Sequence, residues 1–509
     1  MDLKNYERLE NLSALELGAK VNAKELSPVE VLKYFSARIE ERNPSINAFV
    51  YTKFDEALKE AEDLEKMILA GDHFKPLAGV PIGLKDFLPT KKGWTASHGG
   101  VPDLITVDEE DSEFYKAAKS LGAIAIGKTN APSFGFRGVC DNIMYGPTAT
   151  PFNVNYNSGG SSGGSASAVG DGLALACEGG DAGGSTRIPS AWCGCFGFKP
   201  SAGIVPSVCR PDAWTATHPY CCAGPITKTV SDAAVILRNM IKFNLRDPIS
   251  VPVPANLLSI CADTITGQSK PLAGVRIGVT KTFDIFPNPE DPISDAIDEA
   301  AKLLKDLGAE IVETKFDFGY DLEYIENMWL RSISIDTALD FECHKMDTGE
   351  DMLDRLWDEL PSAMKIWTRK AFMSTMMDYR KFHELRTKIL DEHINNFEKC
   401  DILLAPVTGC MPVSNYGDKD RDGLVAGPES INGVKINPLI GFGYTYLENS
   451  TGFPAASVPF KLDEATNLPI GIQLIGRRYM DDEVLSVARC IEYAHPWRDF
   501  YKVPFNRSL

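Results

Sequence analysis

The chain has 509 residues, with 52 Lys and Arg against 70 Asp and Glu, a net charge of −18. So acidic a chain lacks the basic footprint of a general nucleic-acid binder, and a hydrophobic content of 44% excludes wholesale disorder. No stretch approaches the ~18 apolar residues of a spanning helix, no apolar leader opens the N-terminus, and 12 cysteines are too few for a disulfide scaffold, so a cytoplasmic protein with reduced thiols is expected.

The N-terminal seventy residues read as helices. Ser27-Pro28-Val29-Glu30 is a helix start, with a capping serine, a proline in the first turn and a glutamate three residues after the cap. A second helix is predicted over 54–69. Beyond Gly79, short apolar runs at 80–84, 123–126, 173–177, 275–280, 402–405, 456–459 and 470–475 are separated by amphipathic stretches such as 293–307 and 482–494. That alternation predicts an α/β fold, a sheet covered by helices on both faces. Residues 310–400, rich in Trp, Met and acids, read as a helical elaboration, and 410–430 as a long loop. No linker divides the chain.

Two short motif matches carry little. GAIAIGKT at 122–129 fits the P-loop pattern, but a P-loop needs exposed N–H groups where this chain has Ala123, Ile124, Ala125 and Ile126, a buried strand by composition. GGSSG at 159–163 fits the nucleophile elbow. That elbow needs an apolar strand before it, and PFNVNYN at 151–157 reads as loop.

The informative segment is SGGSSGGSASAVGDGLALACEGGDAGGSTRIPS at 158–190, where 10 glycines fall within 27 residues. A small-residue helix at 165–169 and a strand at 173–177 are embedded in it, which a flexible linker would not contain. Loops at 159–164 and 179–185 would bring backbone N–H donors together, suiting an oxyanion, and their serines are candidate nucleophiles. Lys85 closes the apolar run at 80–84. Burial lowers a lysine pKa, so it is a candidate neutral base.

These residues resemble the amidase signature family of serine amide hydrolases over roughly 12–497. The motifs appear in order: GVPIGLKD at 79–86, GAIAIGKTN at 122–130, GPTATPFN at 146–153, the Gly/Ser segment running on to Ser201, GPITKTVSDAA at 224–234, DILLAPVT at 401–408, STGFPAASVP at 450–459 and LPIGIQLIG at 468–476. The resemblance implies a Ser–cisSer–Lys triad. Ser185 matches the nucleophile, Ser161 the bridging serine whose peptide bond is cis, and Lys85 the base. It implies an oxyanion hole from the N–H groups of Ala182, Gly183, Gly184 and Ser185, with Ser162, Asp181 and Arg187 in support. It also implies one large domain over 1–509: N-terminal helices at 1–70, a catalytic core at 71–310, a variable, substrate-shaping region at 310–445, and core strands with a helix at 446–509.

Departures from the family pattern include Ala182 and the run Glu448-Asn449-Ser450, expected to alter a pocket wall. Cysteines 140, 177, 193, 195, 209, 221 and 222 cluster near the site without the pair spacing of zinc ligands. No metal or cofactor is expected. The expected substrate is a small aliphatic, aryl or oligoamide carboxamide, and the motif style resembles the bacterial branch with aryl, acyl and cyclic oligoamide hydrolases. Trp329, Trp357, Trp367, Met364, Met373, Met376 and Met377 are candidates for an apolar pocket or for helix core. The partner expected is a small molecule, not nucleic acid or a spanned membrane, and a homodimer is compatible with the sequence. The alternatives are the glutaminase subunit of a tRNA-dependent amidotransferase and a non-catalytic binding protein on the same fold.

Overall fold

Ser27 caps its helix as its spacing predicts. Its Oγ accepts from the N–H groups of Val29 and Glu30 at 3.1 and 3.3 Å, and helix α2 runs Pro28–Ile46. It lies between α1 (Ala14–Asn22) and α3 (Phe54–Ala70). The computed structural model describes residues 8–71, 74–210, 212–253 and 269–507. Residues 1–7 of the N-terminal helical stretch, and 254–268 of the expected core, lie outside the described residues.

Eleven strands form one mixed sheet: β1 (Phe49–Thr52), β2 (Pro81–Lys85), β3 (Ile124–Thr129), β4 (Ala176–Asp181), β5 (Phe196–Lys199), β6 (Cys222–Thr227), β7 (Arg276–Val279), β8 (Glu310–Glu313), β9 (Ile402–Pro406), β10 (Ala455–Leu462) and β11 (Pro469–Gly476). In space they run β1-β3-β2-β4-β6-β5-β10-β11-β9-β7-β8. Pairs β3/β2, β2/β4, β9/β7 and β7/β8 are parallel and the others antiparallel. Every residue of β2, β3, β9 and β11 is buried. Successive strand side chains point to opposite faces, so both faces are covered, as the apolar runs predict.

The helices that matter for the site are α4 (Gly163–Gly170), α5 (Arg187–Trp192), α6 (Asp291–Asp306), α7 (Leu322–Thr348), α8 (Ser362–Phe372), α9 (Met376–Phe397), α10 (Tyr446–Thr451) and α11 (Asp481–Ala494). α5 packs on β5, β10 and β11, and α6 on β9, β10 and β11. Two apolar clusters result. One lies along the sheet, and the other joins α7, α8 and α9 to α5 and α10.

Two expectations need correction. The strand read at 173–177 is β4, Ala176–Asp181, so Gly179 and Gly180 lie in the sheet and not in a loop. The glycines fit because β4 is crowded: a Cβ on Gly179 would sit 2.6 Å from Thr186 Oγ1. The run 151–157 is not all loop, since Asn153–Asn157 pairs with Ala149–Thr150 in a separate ribbon. The P-loop lookalike is strand β3, and its Lys128 is buried and paired with Asp108 at 2.7 Å.

Candidate active site

β2 delivers Lys85 into the interior, where it is 5% exposed. Burial pushes its amine down to about 8, against the raising influence of Cys221, Cys140, Asp181 and Glu178. Its Nζ donates to Ser161 Oγ at 2.7 Å. Ser161 follows a cis peptide bond from Gly160 and immediately precedes the turn into α4. The Ser162 N–H donates to the Ser185 carbonyl at 3.1 Å, and the Gly180 N–H donates to Ser162 Oγ at 3.3 Å. The first Gly/Ser loop is thereby tied to the second. Lys85, Ser161 and Ser185 line one cavity of about 490 Å³.

The loop 182–185 bridges the end of β4 and the start of α5. Among the described residues, the N–H groups of Ala182, Gly183 and Ser185 have no hydrogen-bond partner. Gly184 differs from its expected role: its N–H donates to Asp181 Oδ1 at 2.8 Å. Gly184 also has φ +118°, and a Cβ there would lie 2.0 Å from Thr445 Oγ1, so only glycine fits.

Beneath the loop, Arg187 is a fully buried clamp. Its Nε and Nη2 each donate to Asp181 at 2.9 Å, its Nη1 to Glu448 at 3.1 Å and Gln473 at 2.7 Å, and its Nη2 also to Asn449 at 2.7 Å. Burial alone would raise the Asp181 carboxyl; the Arg187 guanidinium overrides it and holds the group down at about 2. Buried ion pairs of this kind are costly to break, about 3–5 kcal/mol when one partner is deleted. Glu448, Asn449 and Ser450, expected on a pocket wall, are instead on buried α10 behind the loop, and none lines the cavity.

A family model described as "Amidase" matches residues 30–485. The chain belongs to the amidase family. A bacterial aryl acylamidase of the amidase signature family superposes with a TM-score of 0.91 at 36% identity, covering 99% of this chain and 100% of that one. A glutamyl-tRNA(Gln) amidotransferase component from Geotalea daltonii is 31% identical over 501 residues, 96% of this chain and 98% of that protein. The acylamidase of Rhodococcus erythropolis is 28% identical over 496 residues, 96% of each. The 6-aminohexanoate cyclic dimer hydrolase, at 22% identity and a TM-score of 0.81 over 98% of both chains, shares the fold. This is an amide-hydrolysing enzyme.

The rest of the amidase cavity is mostly apolar. Phe134, Phe136, Ile188, Leu439 and Ile440 line it together with one face of α7. Of the Trp and Met residues singled out in the sequence, Trp329 alone reaches the cavity. Trp367 and Met364 are core of the second cluster. Trp357 lies under the cations of Lys365 and Arg369, and Met373, Met376 and Met377 are exposed at the α8–α9 turn. Among the described residues, no helix is long and apolar enough to cross a membrane.

Several residues of the site are not singled out by the sequence. Thr445 Oγ1 donates to the Gly183 carbonyl at 2.7 Å. Gln473 holds Arg187 from 286 residues away, which no local pattern signals, and Glu448, singled out as a departure from the family pattern, has this clamping contact in place of the expected wall position. Glu178 is buried beside Lys85, whose N–H points to its Oε2 at 3.4 Å, and burial pushes this carboxyl up to about 7. Its visible signal is an acid at the end of the apolar run 173–177, where a charge is costly.

Proposed function

We propose that this amidase cleaves amides with apolar acyl or aryl groups through a Ser185–Ser161–Lys85 triad and an acyl-enzyme. The observation that carries the reading is the 2.7 Å contact between Lys85 and Ser161 at the floor of an apolar cavity shared with Ser185. Neutral Lys85 takes the Ser161 proton as Ser161 takes that of Ser185, and Ser185 Oγ bonds to the amide carbon. The charge that develops on the carbonyl oxygen is met by the free N–H groups of Ala182, Gly183 and Ser185. One such donor contributes about 3–4 kcal/mol to the transition state. The proton returns through Ser161 to the nitrogen as the C–N bond breaks, because an amine leaves only when protonated. Water then attacks the acyl-enzyme carbon with the relay running again, and the acid is released.

Ser162, Asp181 and Arg187 hold the loops in place in this scheme. The whole chain works as one unit, with 71–310 supplying chemistry, 310–445 shaping the substrate, 446–509 completing the core with strands and a helix, and 1–70 bracing the sheet. The similarity to an amidotransferase component keeps glutamine hydrolysis as the rival reading. Ile188 and Trp329, which pack against the loop before Ser185, favour an acyl group less polar at that end than the glutamine side chain.

The test is hydrolysis of a panel of anilides, aliphatic amides and glutamine by the purified protein beside Ser185→Ala. The variant is expected to lose about 10⁴-fold or more in kcat and to lose fluorophosphonate labelling, with an unchanged melting temperature. Retained activity in the variant overturns the assignment of Ser185. Glutamine as the preferred substrate overturns the choice of substrate.

A further inference from the structure

α7 runs along the cavity with one continuous stripe: Trp329, Ile333, Asp336 and Thr337, Asp340, and His344. The spacing of three, four and seven puts these on one helix face. Along it, Trp329 is 6% exposed, Ile333, Asp336, Thr337 and His344 are half-buried, and Asp340 is exposed. The stripe therefore joins the buried end of the cavity at Trp329 to a solvent-exposed position at Asp340. At its inner end Trp329 lies against the oxyanion loop, since a Cβ on Gly183 would come within 2.4 Å of its ring. The Trp329 Nε1–H is buried without a hydrogen-bond partner in this same cavity lining.

The two carboxylates on the stripe have no ion pair or hydrogen bond among the described residues. The charges that act on Asp336 are those of Asp340 and Asp212, both acidic, and no lysine or arginine offsets them. Asp212 is held by its own loop, accepting from the Trp214 N–H at 2.9 Å and from Thr215 Oγ1 at 3.4 Å. Burial, and then its acidic neighbours, push the Asp336 carboxyl up to about 9. Near neutral pH Asp336 is therefore protonated in the empty site, and a cation seated between it and Asp340 favours its ionised form. A metal ion does not meet this need: among the described residues, no group of three or more His, Cys, Asp or Glu is placed to hold one.

The seven residues from Trp329 to Asp336 span about 10 Å at the rise of an α-helix. Ile333 lies within this interval and lines the cavity. We propose that this amidase selects amides bearing an alkylammonium group about 10 Å from the scissile carbonyl, with Asp336 and Asp340 receiving the cation and an apolar spacer crossing Ile333. The proposal rests on the reading of Ser185 as the reacting residue and adds the charge and length of the substrate. A net charge of −18 helps, because it concentrates cations around the molecule.

The test compares binding of octylammonium and 1-octanol by calorimetry, which needs no turnover. It is paired with kcat/KM for 8-aminooctanoyl 4-nitroanilide against octanoyl 4-nitroanilide. The ammonium is expected to bind at least tenfold more tightly than the alcohol, and the charged anilide to be preferred by a similar factor. Both preferences should collapse in Asp336→Asn/Asp340→Asn, and shrink in Asp340→Asn, a change at an exposed position that the fold tolerates. Equal or weaker binding of the ammonium, or a preference retained in the double variant, overturns the proposal. Hydrolysis of the neutral octanoyl anilide reports separately on the Ser185 reading, so the two failures are distinguishable.

Discussion

The floor of the cavity and its helical wall are built on opposite principles. The floor, at 158–190, is made of small residues and backbone, cross-tied by hydrogen bonds and clamped by a buried arginine that makes five side-chain hydrogen bonds. The wall, on α7, is made of large side chains, with polar groups that lack partners. A floor of backbone can place N–H donors tightly, because the glycine loops are held by bonds from their neighbours while, among the described residues, the N–H groups of Ala182, Gly183 and Ser185 stay free. A wall of side chains can change identity without disturbing that placement. On the proposed reading, rate belongs to one region and choice of substrate to the other.

The strongest way to break this division is at Lys85. Lys85→Ala is expected to lower kcat by about 10²–10⁴-fold, with KM for an apolar anilide little changed. In the unmodified enzyme, burial holds the Lys85 amine down at about 8. The base is the neutral form, so kcat/KM should rise as pH increases through about 8 and level off above it. A profile flat from pH 6 to 10 would remove Lys85 from the relay.

A smaller effect is expected where the two regions touch. Gly183→Ala places a methyl group 2.4 Å from the Trp329 ring, so the loop or the indole must move, and kcat should fall roughly 10–100-fold. Pairing it with Trp329→Leu should restore part of the loss, a coupling of about 0.5–3 kcal/mol. Strictly additive losses in the double variant would mean that the wall does not lean on the loop.

The smallest effect sharpens the wall's side of the comparison. Phe341, on α7, lines the cavity near Phe134, with ring centroids 5.7 Å apart. Phe341→Ala should raise KM for aryl amides by about tenfold, an apolar contact of 1–3 kcal/mol, while kcat for acetanilide stays within twofold. A fall in kcat of the same size as the rise in KM would place Phe341 with the machinery of the floor.

The floor is far more legible in the sequence than the wall. Ten glycines in 27 residues can hardly be anything but a place where backbone must come close. The serines and Lys85 stand in motifs of adjacent residues. The register of β4 is hidden because Gly179 and Gly180 look like loop in a sequence, and their strand role depends on β6 pairing alongside. The Arg187 clamp is half visible: Asp181 sits six residues away, but Glu448 and Gln473 are brought in by α10 and β11. The wall reads as pocket or as helix core without resolution, because Trp and Met at helical spacing look the same in either setting. Helix α7 alone separates them, through which of its faces meets the cavity.

The five hydrogen bonds of Arg187 have a further consequence, for the birth of the molecule. They join residue 187 to Asp181 and to residues 261, 262 and 286 positions further along. Contacts of such sequence separation form late, since the intervening chain must first close its loops. The nucleophile loop is synthesised early, yet its clamp is completed only once Gln473 has left the ribosome. A chain that ends before Gln473 carries Lys85, Ser161 and Ser185 and keeps the Arg187–Asp181 pair, but lacks the Gln473 bond to the clamp, so on the proposed reading it is expected to cleave amides more slowly than the whole protein.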